Sequence, residues 1–463
     1  LRYLSTRGEP AALAFDDVLL AGLARDGGLY VPETWPQFPA AEWRALRGKR
    51  YHEIAFAVLK PYVGGAIPDA DLAQLTREAY ANFSHQAVAP LKQLDANLWT
   101  LELFHGPTLA FKDYALQLVG KLFDYVLAKK GQRITIVGAT SGDTGPAGIA
   151  AVAGSKHIDI VVLHPNGRTS PVQRRQMTTV LDPNVHNVAL EGNFDDCQDL
   201  VKALFGDLEF RDRYNLSAIN SINWARIAGQ IVYYVHAALA LGAPDRPVSF
   251  CVPTGNFGNV LAADAARRMG LPIERLVVAT NRNDIVARTI LTGTMALESV
   301  APTITPSMDI QVSSNFERLV FELAGRDGRA TSAMMTEFRQ SGKLAFPQGM
   351  KGALADGFDA GAASEAETLN TIAKMRLTTG EIVDPHTAVA IHVAQRAKSD
   401  APIVVASTAH PAKFPDAVEK ATGIRPALPD FLADLFERKE RVDILPNDAA
   451  TLKKYVAAHA KAQ

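Results

Sequence analysis

From about residue 98 onward the chain alternates short β-branched runs with longer amphipathic stretches, and no other feature constrains its fold as tightly. The runs at 134–137, 158–163, 185–190, 248–252, 275–279 and 403–406 read as strands buried in parallel sheets. Between them, 146–153, 171–181, 194–204, 224–241 and 259–269 have helical spacing. This order specifies βαβ units with helices on both sheet faces, an α/β protein.

Three times a strand runs into a polar turn and then a helix: ITIVGATSGDTGPAGIA at 134–150, VSFCVPTGNFGNVLAA at 248–263 and PIVVASTAHPAKFPDA at 402–417. In open α/β sheets such loops gather at the carboxyl ends of the strands, where ligands bind. Three of them predict one shared site with three walls. The first ninety residues differ, with amphipathic helical patterns at 15–24, 43–60 and 69–84. The expected organisation is a helical N-terminal module at 1–95, a smaller α/β domain at 96–230 and a larger one at 231–463. Within the last, 324–366 is rich in Gly, Ala and Ser and reads as an insertion or a loosely packed region. The stretches 429–440 and 449–460 read as helices.

Composition narrows the function. The chain has 463 residues, 48% apolar and 21% charged, enough for a large core. Its net charge of −1 gives no field for nucleic acid or anionic lipid. The longest mostly apolar run, 231–243, contains His236 and is too short to span a bilayer. Two cysteines, Cys197 and Cys251, make neither a disulfide framework nor a zinc site, which predicts reduced thiols and a cytoplasmic protein. The opening residues LRYLSTRGEP carry no apolar signal region and read as mature protein, with Leu1 where Met is expected.

Each loop has two readings. The glycines of GNFGN (Gly255, Asn256, Phe257, Gly258, Asn259) let backbone amides converge on a phosphate at a helix start, or they make a plain strand-to-helix turn. The spacing is neither GxGxxG nor a P-loop. In TSGDTG the amides and the hydroxyls of Thr140, Ser141 and Thr144 suit a small carboxylate, while Asp143 accepts hydrogen bonds or caps the helix. STAHPAKF places Ser407 and Thr408 where they could simply cap.

FHGPTLAFKDYA, at 104–115, holds Lys112 in an apolar, turn-forming run. A lysine there either snorkels to water or loses hydration, which favours the neutral amine, a nucleophile toward aldehydes. An amine and a phosphate cradle in one fold match the two ends of pyridoxal phosphate.

The chain resembles the threonine synthase family, in its longer bacterial and fungal class. The resemblance rests on LRYLSTRGE at 1–9, DGGLYVPE at 26–33, LFHGPTLAFKD at 103–113, VGATSGDTGPA at 137–147, GRTSPVQRRQMTT at 167–179, NSINWAR at 220–226, PTGNFGN at 253–259, DPHTA at 384–388 and STAHPAKF at 407–414. They run in order across nearly the whole chain. The resemblance implies a fold type II pyridoxal-phosphate architecture, related to the tryptophan synthase β chain, with two open parallel-sheet αβα domains. It implies conversion of O-phospho-L-homoserine and water to L-threonine and phosphate. Lys112 would then be the catalytic residue and the Schiff-base partner of the cofactor. Gly255, Asn256, Phe257, Gly258 and Asn259 would hold the cofactor phosphate, Thr408 would face the pyridine nitrogen, and the 140–144 loop would take the substrate carboxylate. Asp143 stands where related enzymes often have Asn, which leaves the partner of the cofactor's ring hydroxyl open.

The substrate phosphate needs a second anion site, for which Arg168, Ser170, Asn220, Ser221, Asn223 and Arg226 are the candidates. Arg174 and Arg175 read as solvated helix charges. His105 and His410 are either proton shuttles or structural. The loops do not separate threonine formation from a phospho-lyase reaction giving 2-oxobutyrate, ammonia and phosphate. A monomer and a homodimer are equally compatible with the sequence.

Overall fold

The computed structural model describes residues 1–140, 142–218 and 221–461. The chain forms two compact units, Leu1–His105 with Ser221–Pro426, and Gly106–Asn220 with Ala427–Gln463. Neither is contiguous, so the expected division at 95 and 230 is not the one seen. The N-terminal module belongs to the first unit, and the chain's last stretch returns to the second.

The first unit holds a six-stranded sheet in the order Phe358–Ala362, Ile273–Thr280, Val248–Pro253, Ile403–Ser407, Leu98–Glu102, Leu91–Gln93. All neighbours are parallel except the last pair, whose antiparallel edge strand was not foreseen. Val248–Pro253 is buried along its length, as its unbroken apolar run requires. On one face Cys251, Val277, Ala279 and Val405 pack with Ile372, Met375, Val389 and Ile391. Burying each aliphatic side chain is worth about 1.5–3 kcal/mol. The helix Trp224–Ala240 is buried nearly all round, which its apolar sequence permits.

In the N-terminal part, helices Phe15–Ala21, Tyr51–Val63 and Asp69–Tyr80 match expectation, but 43–60 is interrupted after the short helix Ala40–Ala45, where Gly48 takes φ 73°. Tyr3–Ser5 pairs antiparallel with Tyr30–Pro32, strands too short to register as a pattern. The region 324–366 is not loose. It forms helices Gly328–Ser341 and Gln348–Gly357 and the sheet's edge strand Phe358–Ala362. Its small residues include helix formers and a C-cap, Gly342 at φ 71°.

The second unit holds an all-parallel sheet in the order Asp443–Pro446, Val185–Glu191, Ile158–Pro165, Ile134–Ala139, Leu216–Ser217. Val137, Val161, Leu163, Val188 and Leu190 pack against Leu200 and Leu204 and against Leu452 and Val456 of the C-terminal helix Ala449–His459. The expected helix at 429–440 is instead a short 3-10 turn, Asp430–Leu432, and further turns. Leu432 and Leu435 are drawn to Leu109 and Val172, and tertiary burial overrides local propensity there. Among the described residues no helix is long and apolar enough to cross a membrane, and no group of side chains suits a metal ion.

Candidate active site

In the second unit the turn before Lys112 is closed by the residue after it. Asp113, fully buried, accepts from the Thr108 amide (2.8 Å) and the Thr108 hydroxyl (2.6 Å). Gln176 Nε2 donates to Thr108 O (3.1 Å). Gly106 is required here, because a Cβ would stand 2.5 Å from that of Asp113. Leu109 sits at φ 62°, a left-handed conformation costing about 1–2 kcal/mol, and is held by packing against Val172 and Leu432. Lys112 thereby opens the helix Lys112–Lys130. Its side chain is 12% exposed and its Nζ lies 3.7 Å from Asp143 Oδ2.

The other oxygen of Asp143 accepts from Gln173 Nε2 (2.8 Å). Asp143 stands at the head of helix Thr144–Val152 but its carboxylate caps nothing there, so it acts as acceptor and counter-charge. Thr140's hydroxyl donates to Gly142 O (3.0 Å) and accepts from the amides of Gly142 (3.2 Å) and Gly145 (3.1 Å). It staples the loop. Thr144, half-buried, occupies the first helical position, and Ser141 lies outside the described residues.

Ser170 caps helix Pro171–Thr178 by accepting from the Gln173 amide (3.2 Å). Arg168 is exposed on the preceding turn and forms no ion pair among the described residues. Arg174 and Arg175 are not simply solvated: both reach Glu440, at 2.9 and 3.0 Å, a partner too distant in sequence to anticipate.

In the first unit, Val248–Pro253 and Ile403–Ser407 are parallel neighbours, so the loops after them leave the same end of the sheet. Phe257 takes φ 63°, its amide donates to Thr254 Oγ1 (3.0 Å), and its buried ring meets Phe316 edge-on at 5.0 Å. The helix Gly258–Arg268 begins there with no side-chain cap and no acidic residue in its first turn. Its first amides point out of the helix toward the positive end of its dipole, a ready seat for an anion. A Cβ at Gly255 would lie 2.9 Å from Ile310 Cδ1 and 3.1 Å from Ser307 O. Asn259 Oδ1 accepts from the hydroxyls of Tyr233 and Tyr234, and its Nδ2 is buried without a partner.

Thr408 is buried, and its amide donates to Thr387 Oγ1 (3.3 Å), which in turn donates to the fully buried Asp384. His410 caps the turn Pro411–Lys413 by accepting from the Ala412 amide (3.2 Å). Burial pushes its pKa down to about 4, so it is neutral near pH 7. His105 pairs with Glu102 at 2.8 Å.

Of the residues at 220–226, Asn220 lies outside the described residues. Asn223 uses both ends of its amide, accepting from the Ala225 amide (3.0 Å) and donating to Leu19 O (2.8 Å). Ser221 O accepts from Asn315 Nδ2 (3.0 Å). Arg226 is 3% exposed, and its Nε and Nη1 have no partner. Burial pushes its pKa down to about 10. A buried guanidinium with idle donors is costly unless an anion completes it.

Three family models match the chain: threonine synthase N terminus over residues 2–80, pyridoxal-phosphate dependent enzyme over 84–340, and threonine synthase, C-terminal, over 387–456. A threonine synthase of Pseudomonas aeruginosa is 54% identical over 462 residues, 99% of this chain and 98% of that one. The chain belongs to the threonine synthase family. The crystal structure of the PLP-bound threonine synthase from Brucella melitensis matches at TM-score 0.98 and 56% identity, covering 99% of each chain. The yeast threonine synthase structure matches at TM-score 0.94 and 39% identity, covering 99% of this chain and 98% of that one.

The fold is therefore that of type II pyridoxal-phosphate enzymes, and the residues present fit the cofactor. A threonine synthase needs an amine for the aldehyde and a cradle for the phosphate. In the second unit Lys112 carries an amine at a helix head, and in the first unit the helix start at Gly258 has no side-chain cap and no acidic residue in its first turn, chemistry that suits the two needs. Asp113, Gln173 and Arg318 escaped the sequence reading. Asp113 and Gln173 lie inside LFHGPTLAFKD and GRTSPVQRRQMTT, but their partners are tertiary, and nothing local marks Arg318.

Proposed function

We infer that this chain converts O-phospho-L-homoserine and water into L-threonine and inorganic phosphate with pyridoxal phosphate as its cofactor. The observation that carries the reading is Lys112, held at a helix head beside Asp143 in a chain alike to threonine synthases along its whole length. The bound cofactor supplies an aldehyde for amines and a conjugated ring that takes up the electron pair left when a carbon-bound proton is removed. Lys112 is assigned the proton transfers at substrate Cα, Cβ and Cγ, as phosphate leaves Cγ and water adds at Cβ. Asp143, 3.7 Å away, steadies the ammonium each time Lys112 holds the proton.

The remaining roles are proposals of the same reading. Residues Gly255–Asn259 hold the cofactor phosphate and Thr408 faces the pyridine nitrogen. The amides of 140–144 with Thr144 take the substrate carboxylate, and the hydroxyl of Thr140 shapes that loop. Arg226 is the principal cation for the substrate phosphate, favoured by its idle donors, with Ser221 and Asn220 beside it in sequence. Arg168 and Ser170 are secondary, and Asn223 contributes by capping helix Trp224–Ala240. A cytoplasmic setting is supported by Cys197 and Cys251, both unpaired and buried. The deciding experiment is product analysis with O-phospho-L-homoserine. Threonine and phosphate in equal amounts are expected, whereas 2-oxobutyrate with ammonia would replace this reading by a phospho-lyase.

A further inference from the structure

We propose that Arg318 is a positioning residue for the cofactor phosphate, acting through Asn315 on a strap, 313–315, that sets the peptide groups of the 255–259 loop. The inference rests on the reading of that loop as the phosphate seat.

A loop with two glycines has little conformational preference of its own, so something outside it must fix its peptide planes. The strap does so from one side. Ser313 Oγ donates to Gly255 O (2.7 Å), and the Asn315 amide donates to Asn256 O (3.1 Å). In a trans peptide the carbonyl and the following N–H point in opposite directions. Holding the Gly255 carbonyl against Ser313 therefore aims the Asn256 amide away from the strap. The Phe257 amide is already engaged by Thr254 Oγ1 (3.0 Å), which leaves the Asn256 amide and the uncapped helix start for a ligand. At Gly258 a Cβ would come within 3.2 Å of Asn315 Nδ2, so a side chain there would press on the strap.

Asn315 is fully buried and occupies both ends of its side chain. Its Nδ2 donates to Ser221 O (3.0 Å), and its Oδ1 accepts from Arg318 Nη1. A primary amide is free to flip, and the guanidinium decides which end faces which way. Arg318 itself is 1% exposed. Its Nε donates to Tyr30 O (2.8 Å) and its Nη2 to Ile222 O (2.6 Å). The adjacent Glu317 is taken by Arg7 Nη2 (2.7 Å) and the Thr6 hydroxyl (2.7 Å), so Arg318 is satisfied by two carbonyls and an amide oxygen. Burial pushes its pKa down to about 9. Only a planar, three-ended donor fork ties the strap, the 221–222 segment and the N-terminal strand Tyr30–Pro32 at once, and lysine has no such geometry.

The experiment compares binding of pyridoxal phosphate and of pyridoxal, which lacks the phosphate, to the apoenzyme by absorbance titration, with ³¹P NMR of the bound cofactor. Arg318→Met should raise the Kd for pyridoxal phosphate about 10–100-fold, the scale of losing one or two charge-assisted hydrogen bonds. The Kd for pyridoxal should stay within about twofold, because only the phosphate end is disturbed. The phosphorus resonance should shift, and Arg318→Lys should recover only part of the loss. Should Arg318→Met not fold, Ser313→Ala removes a single strap bond and should raise the pyridoxal phosphate Kd about 3–10-fold, again sparing pyridoxal. Parallel weakening of both ligands, or an unchanged pyridoxal phosphate Kd, overturns the positioning role. Equal affinity of the wild-type protein for both ligands overturns the phosphate seat itself, and the two failures are thus distinguishable.

Discussion

The turn before Lys112 and the loop before Gly258 use one device to opposite ends. Each places a buried apolar residue in the left-handed region just ahead of a helix, Leu109 at φ 62° and Phe257 at φ 63°. Each is held there by apolar packing rather than by glycine. The difference lies in the charge that meets the helix start. Ahead of Lys112–Lys130 the protein brings its own carboxylates, Asp113 in the first turn and Asp143 at 3.7 Å from the lysine. Gly258–Arg268 has no acidic residue in its first turn and no side-chain cap. A helix N-terminus supplied with internal anions can hold a cation, and one left without them must take its anion from solution. That contrast is what the proposed roles use, proton transfer at the first and a phosphate seat at the second.

The largest test of that contrast is Lys112→Ala. If the amine carries successive proton transfers, kcat should fall by about 10⁴-fold or more, far beyond any loss of folded protein from removing the counter-charge of Asp143. Retention of more than a few per cent of turnover would place the chemistry elsewhere. Next comes Arg226→Met, which removes the buried cation with idle donors. KM for the phosphorylated substrate should rise about 10–100-fold. The sign of the stability change is the sharper measurement: without ligand the variant should be more stable by about 1–3 kcal/mol, since an uncompensated buried charge is gone. A loss of stability would mean that the protein already satisfies Arg226.

Asp113→Asn probes the other helix start. One oxygen of a fully buried carboxylate becomes an amide that cannot accept from both the Thr108 hydroxyl and the Thr108 amide. Unfolding free energy should drop by about 1–3 kcal/mol, with a fall in kcat as Lys112 loses its fixed start. Unchanged unfolding with reduced kcat would show that the latch serves the chemistry alone.

Much of this contrast was legible in the sequence, and the reason is local. The strands at 134–137, 158–163, 248–252 and 403–406 are runs that fit only a sheet buried on both faces, and the structure extends them by one or two residues to Ile134–Ala139, Ile158–Pro165, Val248–Pro253 and Ile403–Ser407. The loops stood out because glycine and hydroxyl residues at a strand end have few other uses. What was hidden depends on distant partners. Asp443–Pro446 is a strand only because Val185–Glu191 offers it an edge. The two units are discontinuous because the chain's last segment returns to the earlier sheet, a pairing no local pattern records. Arg318 reads as an ordinary helix charge until Tyr30 O, Ile222 O and Asn315 are found around it.

The smallest expected effect is on acid stability, and it tests whether the two units respond alike. His236 in the first unit and His186 in the second are both pushed down to about 4, chiefly by burial, from the ordinary value near 6.5. Between those values the unfolded chain binds protons that the folded chain refuses. Folding stability therefore rises with pH across this window and is lost as pH falls from about 6.5 toward 4. Replacing either histidine by asparagine removes one titrating group, so the slope of urea midpoint against pH should flatten in each variant. His236 meets the ring of Tyr51 at 5.3 Å and will also lose packing, which lowers the midpoint at every pH and leaves the slope as the diagnostic. If His186→Asn flattens the slope and His236→Asn does not, His186 carries acid sensitivity in the second unit, and in the first unit His410, also pushed down to about 4 by burial, is the next histidine to replace.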